Sequence, residues 1–466
     1  MSTRTSWAHG QRLLTTGLVF LVTASAFEGL AVPTVLPSAL DEVGGLALYG
    51  WAFSGFWLIN LVGITLAGID TDRRGPLRPF IAGTTLSAAG LLIAALAPDM
   101  TWIVLGRAVQ GLGAGAIGAL VYVAIARGYD PAAQPRMIAV ISSAWVLPGL
   151  VGPLIAGFVT EQAGWRWVFG GLAPLLPLAA LAMYRPMARL HSVREASEAG
   201  RPARARDAVQ LVLGAGAVLV AASLGELWQF ALLGIAGLLV ARGSLRRLLP
   251  PGTMTARSGP GAATAALALV SIAFFGAEAF VPLAVSSVRG AGPLAGGLAL
   301  TAAAVTWAAG SWVQARLAAR GVRRSLVGAG LLLVLIGIGL ETPVPISGAP
   351  VWLAAVGWAV AGVGMGLAYS TTTLLIIETA APGAEGAASA SVQLANTLGI
   401  AVGTGVAGAI VAVVAAGPGL APGIAVANLV MLAVGSLGLM AIRGLPEGEA
   451  RASANLPPAG EHGPSL

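Results

Sequence analysis

The sequence predicts an all-helical membrane protein: two six-helix bundles with a two-helix insert between them, about 14 transmembrane helices in all. Three observations carry this. Hydrophobic residues make up 57% of the 466 and charged residues 10%, where soluble domains run at about a quarter charged. Apolar runs of about 20 residues, the length that crosses roughly 30 Å of hydrocarbon, recur along nearly the whole chain. The arginines sit in the short segments between runs and gather on one side of the implied membrane, the bias that orients such proteins.

The elements follow in order from the apolar runs and their flanks. Six runs, 13–36, 48–69, 78–97, 101–126, 137–160 and 166–184, make the N-terminal half, 1–184. The first follows Arg4 and Arg12 as in a signal peptide, but it is too long, contains Glu28 and is followed by further spans, so it reads as a retained helix. Residues 185–262 are basic linkers around two shorter runs, 208–224 and 227–242. Arginines flank both ends, and Glu226 and Trp228 mark the turn, so the pair reads as a hairpin. Six more runs, 263–288, 293–317, 326–341, 351–377, 386–414 and 423–442, make the C-terminal half, 263–443. The tail, 444–466, is polar and reads as disordered.

With both termini cytoplasmic, nearly every loop arginine falls inside, and Asp41, Glu42, Asp99, Glu161, Glu226 and Glu341 mark the outer loops. The expected location is therefore the bacterial cytoplasmic membrane, multi-pass. An internal repeat has a weak echo: Glu28 precedes Val32-Pro33 as Glu278 precedes Val281-Pro282.

Several function classes are excluded or disfavoured. There is no cysteine, and His9, His191 and His462 lie in termini or a loop, so neither thiol chemistry nor a histidine metal centre is expected. No cofactor is implied. All 26 basic residues are arginine, and without lysine there is no Walker A motif, so ATP-driven export by this chain alone is out. A pI near 10.8 would suit nucleic acid, but the charges lie in membrane loops, and no nucleic-acid partner is expected. No nucleophile–base pair argues for an enzyme, and nothing resembles a repeated selectivity filter.

Three segments carry the functional signal. Between the second and third runs stands Gly68-Ile69-Asp70-Thr71-Asp72-Arg73-Arg74-Gly75-Pro76-Leu77-Arg78. A tight turn here needs Gly75, Asp72 can satisfy helix-end donors, and Arg73 and Arg78 hold the loop at the surface. The fourth run carries Gly106-Arg107-Ala108-Val109-Gln110-Gly111-Leu112-Gly113-Ala114-Gly115. An arginine within a membrane helix costs at least about 2.5 kcal/mol unless paired or hydrated. The fifth carries Gly149, Gly152, Pro153 and Gly157, residues that permit bending and close packing. These segments resemble, in order and on the expected helices, motifs A, B and C of the major facilitator superfamily. With fourteen spans the chain is similar to that superfamily's drug/proton antiporter branch. Asp70 departs from motif A, where an apolar residue is usual, and the second half keeps only a worn copy around Gly310, Arg316, Arg320, Gly321, Arg323 and Arg324.

The resemblance implies a secondary transporter for a small molecule, driven by protons. The expected substrate is a lipophilic or cationic drug; a specific metabolite or self-made antibiotic is the alternative. Glu28 and Glu278 are the acids deep in the runs, and carboxyls in low dielectric can take up and release protons. Glu28, Glu278 and Arg107 are therefore the candidate proton-coupling residues, with Glu28 favoured because the first helix lines the central cavity in this family. Motif A, at Asp70, Asp72, Arg73, Gly75 and Arg78, would brace the closed inner gate against the other half. Gly149, Gly152, Pro153 and Gly157 form the antiporter motif. Asn60, Gln110, Trp145, Gln393 and Asn396 are candidate cavity residues, with Trp57, Trp307 and Tyr369 as aromatic walls.

Overall fold

The fold is described from a computed structural model, over residues 2–130, 132–190, 201–223, 227–257, 259–318, 322–346, 348–380 and 385–445. Among these residues no strand occurs. The helices are α1 Ser2–Val43, α2 Leu46–Arg74, α3 Leu77–Ala95, α4 Met100–Gly128, α5 Gln134–Ser143, α6 Val146–Ala163, α7 Arg166–Leu172 and α8 Leu175–Ala188. Then come α9 Arg201–Ser223, α10 Leu227–Leu248, α11 Pro260–Glu278, α12 Val281–Leu283, α13 Pro293–Ala318, α14 Arg323–Glu341, α15 Trp352–Glu378, α16 Glu385–Ala415 and α17 Leu420–Ala441.

Thirteen segments among the described residues are long and apolar enough to cross a membrane. They cover every expected run except 227–242, which coincides with α10. Glu226, Arg320, Gly321, His191 and the tail from 446 lie outside the described residues.

Prolines break three of the expected runs. Proline lacks an N–H and its ring clashes with the carbonyl four residues earlier. Pro148 thus frees the carbonyl of Ala144, where α5 gives way to α6, and the Thr23 hydroxyl of α1 donates to it at 3.4 Å. Pro177 acts likewise on Ala173, between α7 and α8. Pro282 acts on Glu278, where α11 ends, and the next carbonyl, Ala279, accepts from the Tyr49 hydroxyl at 3.3 Å. Backbone freed inside a membrane must find such partners, because lipid offers none.

Two bundles form, α1–α8 and α11–α17. Within the first, glycines of α4 let its backbone meet its neighbours: a Cβ on Gly106 would lie 2.7 Å from the carbonyl oxygen of Gly90 in α3. Gly111 and Gly115 lie against the backbone of Phe56 and Asn60 in α2. The bundles meet through α6 with α13, α2 with α16, and α1 with α13. The α9–α10 pair packs against both halves at once. Val212, Ala215 and Leu219 of α9 share an apolar cluster with Leu58 and Leu61 of α2 and Ala401 of α16.

Four acids placed in outer loops by the sequence are on helices instead, Glu161 among them in the last turn of α6. Asp41 and Glu42 occupy the last turn of α1, and Glu341 ends α14 fully buried, at 0% exposure. Asp70 and Asp72 also lie within α2, so the connection to α3 is only Gly75-Pro76. Gly75 has φ 85°, the left-handed region that glycine enters without penalty.

Candidate functional site

The first half holds a buried charged cluster at the centre of its helices. Asp99 caps α4, its carboxylate accepting from Thr101 N at 2.8 Å and Trp102 N at 3.3 Å. Two turns further on, Arg107 is 2% exposed and does not snorkel to the surface. Its guanidinium pairs with Glu28 of α1, itself 6% exposed. It also donates to Gln110 Oε1 at 2.7 Å and to the Ala52 carbonyl of α2 at 3.1 Å. It lies over the Phe56 ring, 4.1 Å from the centroid, a cation–π arrangement that is strongest when desolvated. Four partners from three helices thus fix one cation. Breaking such a pair by removing one member costs about 3–5 kcal/mol, because the other charge stays buried alone.

Beside it lies a cavity of about 20 Å³, lined by Ser25, Glu28, Ser87, Gln110 and apolar neighbours. That is room for about one water with polar partners on several sides. Glu28 and Gln110 are therefore both in the cluster and on the cavity wall.

The second half places its acid among aromatics. Glu278 ends α11 half-buried, and Trp358 Nε1 of α15 donates to it at 3.5 Å. Trp358 stacks on Phe274 with centroids 5.3 Å apart. Trp307 is 5.7 Å from Phe274 and 5.6 Å from Tyr369. Trp307 and Tyr369, expected as cavity walls, continue this aromatic row along α13 and α15 away from Glu278, while Trp57 sits edge-on to Phe56 in the first half at 5.1 Å.

The other candidate residues scatter. Asn60 is buried in α2 against α4. Asn396 accepts from Ser271 at 3.0 Å. Gln393 is exposed, 3.4 Å from Thr397 on its own helix, and Trp145 is half exposed at the α5–α6 break.

Motif A pairs within its own half. Asp72 meets Arg127 of α4 at 3.4 Å, and Asp70 meets Arg74 at 3.6 Å and Arg78 at 3.9 Å, while Arg73 is exposed. At the same arginine-rich end Arg323 pairs with Glu378, again inside one half. Exposed pairs of this kind contribute only about 0–1 kcal/mol each.

The antiporter motif, in contrast, lies on the seam between halves. A Cβ on Gly157 would sit 2.8 Å from Leu294 Cα, and one on Gly297 would sit 2.5 Å from the Pro153 carbonyl oxygen. Gly149 faces Ala304 of α13, and Gly152 faces Phe27 of α1. The seam continues at the arginine-poor end, where sequence reasoning had no purchase. Asp41 accepts from Ser287 at 2.9 Å, and Glu161 accepts from Leu294 N, in the first turn of α13, at 3.0 Å. Tyr49 packs on Phe280 with centroids 5.3 Å apart. Gly50 and Gly408 meet so closely that a Cβ on the first would lie 2.7 Å from the other's Cα.

Two helical bundles with buried charges inside them and a glycine-lined seam between them define a polytopic membrane transporter. The profile of the Major Facilitator Superfamily matches residues 17–404, and the chain belongs to that family. A probable multidrug-efflux transporter of Mycobacterium tuberculosis, Rv1634, is 28% identical over 422 residues, 86% of this chain and 87% of that protein. The multidrug transporter MdtP of Bacillus subtilis is 23% identical over 85% of this chain and 75% of its own length. Among solved structures, a bacterial homologue of the lysosomal transporter Spinster, in an inward-facing, unoccupied conformation, superposes with a TM-score of 0.67 at 14% identity, covering 93% of this chain and 97% of that one.

Proposed function

We propose that this protein is a proton-coupled exporter of lipophilic, cationic small molecules in the bacterial cytoplasmic membrane. In this reading it has fourteen spans, with α9–α10 as the central hairpin of 185–262 joining the halves 1–184 and 263–443, and both termini lie in the cytoplasm. The observation that carries the reading is the buried Glu28–Arg107 pair beside a water-sized cavity. The relatives' multidrug efflux supports the substrate class.

The chemistry is a competition. Arg107 and a proton both bind the Glu28 carboxylate, and a protonated Glu28 no longer balances the arginine's charge. Arg107 then keeps Ala52, Gln110 and Phe56, so its position survives the loss of the ion pair. A cationic substrate is repelled while the arginine is unbalanced and tolerated once the carboxylate is restored. Proton and substrate therefore exclude each other, which is what antiport requires. Glu278, beside Trp358 and the Phe274 ring stacked on it, supplies an acid next to aromatic faces on the opposite half, a setting that suits a lipophilic cation.

Expression in an efflux-deficient host tests this directly. Cells carrying the protein should accumulate less cationic dye, and a protonophore should erase the difference. Reduced accumulation that persists with the protonophore would defeat the coupling.

The arginine-rich end is the cytoplasmic face in this reading, and the halves are sealed at the opposite end. Motif A should act in the other state, where Asp72 leaves Arg127 for the facing half. Asp72→Asn is expected to shift spin-label distances across the arginine-rich end toward the open form and lower transport. The net effect is about tenfold, because a charge-assisted bond of about 1.5–3 kcal/mol is lost against a pair of about 0–1 kcal/mol already present in this state. An unchanged distance distribution would make motif A a topological anchor only.

Among its described residues the hairpin offers no group for substrate chemistry. Asp207 is spent on Arg247 at 2.8 Å, and α9 packs on α2 and α16 through aliphatic side chains. Excising 208–242 and joining the linkers should leave measurable transport with reduced thermal stability. Complete loss in an inserted, folded variant would assign the hairpin a working role.

A further inference from the structure

The most buried acid among the described residues lies outside the transport site. Glu341 ends α14 with 0% exposure, and Asn428 of α17, also at 0%, donates its amide to Glu341 Oε2. The other two oxygens of the pair, Glu341 Oε1 and Asn428 Oδ1, are buried and have no hydrogen-bond partner. Both are acceptors when the carboxyl is ionised. Two adjacent buried acceptors without a donor each leave an unmet desolvation cost. An isolated buried carboxylate costs far more.

One hydrogen atom removes all of these costs. A protonated carboxyl has an O–H donor, and an amide oxygen is the acceptor missing one. We propose that Glu341 and Asn428 form a proton-binding site in which the acid is held neutral and donates from Oε1 to Asn428 Oδ1, closing a two-bond acid–amide pair. The bound ligand is a single proton, resident in the C-terminal half.

Among the described residues the surroundings offer no competing partner. Of the elements packed on α14, α11 contributes Glu278, which is hydrogen-bonded to Trp358 of α15. The nearby loop contributes Arg289, whose guanidinium donates to the carbonyls of Val344 at 2.7 Å and Ala349 at 2.8 Å. Asn428 is the polar group that α17 presents to Glu341. Gly357 of α15 lets the helices close over the pair, since a Cβ there would lie 3.2 Å from the Leu340 Cβ and 3.4 Å from the Glu341 nitrogen. The site is sealed, and α14 and α17 belong to the same half, so the proton braces that half and does not exchange during the transport cycle. This is independent of the coupling assigned to Glu28.

Infrared difference spectra of the full-length protein in lipid, wild type against Glu341→Gln, test the proposal at neutral pH. Glutamine reproduces the neutral acid's shape and donates in its place, so the variant should insert, fold and transport as wild type does. The spectra should show loss of one protonated-carboxyl band, and Asn428→Ala should shift that band without removing it. A lost carboxylate band in place of the protonated one would show that Glu341 is ionised and overturn the proposal. Loss of pH-driven transport in a folded Glu341→Gln protein would overturn the resident character of the proton. If Glu341→Gln fails to fold, Asn428→Ala alone decides: an unshifted band means that the two side chains do not share a proton.

Discussion

Glu28→Gln is expected to abolish proton-driven export while leaving a folded, inserted protein. Glutamine keeps the length of the side chain and an oxygen that accepts from Arg107, but it cannot titrate and carries no charge. Arg107 retains its bonds to Ala52 and Gln110 and its place over Phe56, so the helices around it stay together. Stability should fall by less than the roughly 3–5 kcal/mol expected when a buried partner is removed outright. Glu28→Ala, which leaves Arg107 without an acceptor there, should carry that full loss. Dye uptake into inverted membrane vesicles, driven by an imposed pH gradient, is the measurement. Coupling at wild-type levels in the glutamine variant would remove Glu28 from the mechanism.

Gly50→Val is expected to block transport for a different reason. Its Cβ would meet Gly408 Cα at 2.7 Å and the Thr404 carbonyl at 3.0 Å, backbone against backbone across the two halves. Packed interiors cannot absorb such an overlap without shifting. The relief is to part α2 from α16 and open the arginine-poor end. A cost of about 1–3 kcal/mol on the sealed form, at about tenfold per 1.4 kcal/mol, moves the population strongly to the opposite opening. Gly55, on the same helix, has nothing within 4 Å of a Cβ, so Gly55→Ala is the control and should transport normally. Double electron–electron resonance between labels at the arginine-poor end should show a longer distance in Gly50→Val only. An unchanged distance with full transport would mean that this seam is not a gate.

The sequence made the large features legible because they are local. Apolar runs, arginine bias and the three motifs each fall within a few dozen residues, and they led to the family. Gly75 is legible too, as the residue a tight turn requires, although the runs end at 69 and resume at 78 and do not show that the connection is only Gly75-Pro76. Glu28 and Arg107 stood out singly as charges in apolar helices, but they are 79 residues apart, and no spacing rule joins them. The helix breaks have a local signal: Pro148, Pro177 and Pro282 each fall four residues after the carbonyl left free. Glu341 reads as a loop acid because it ends its apolar run, and only the packing of α17 shows that the run's end is buried. The contacts of Asp41 with Ser287 and of Glu161 with Leu294 depend on how two halves dock, information that neither half contains alone.

The most direct test of the account is proton movement itself. Purified protein is reconstituted in liposomes that enclose a pH-sensitive dye and hold an inward-acid pH gradient, and a lipophilic cation is added outside. The account predicts that the cation accelerates collapse of the gradient in wild-type liposomes, that Glu28→Gln liposomes match empty ones, and that cation uptake and proton efflux rise together. Cation uptake by the wild type with no accompanying proton movement would contradict it.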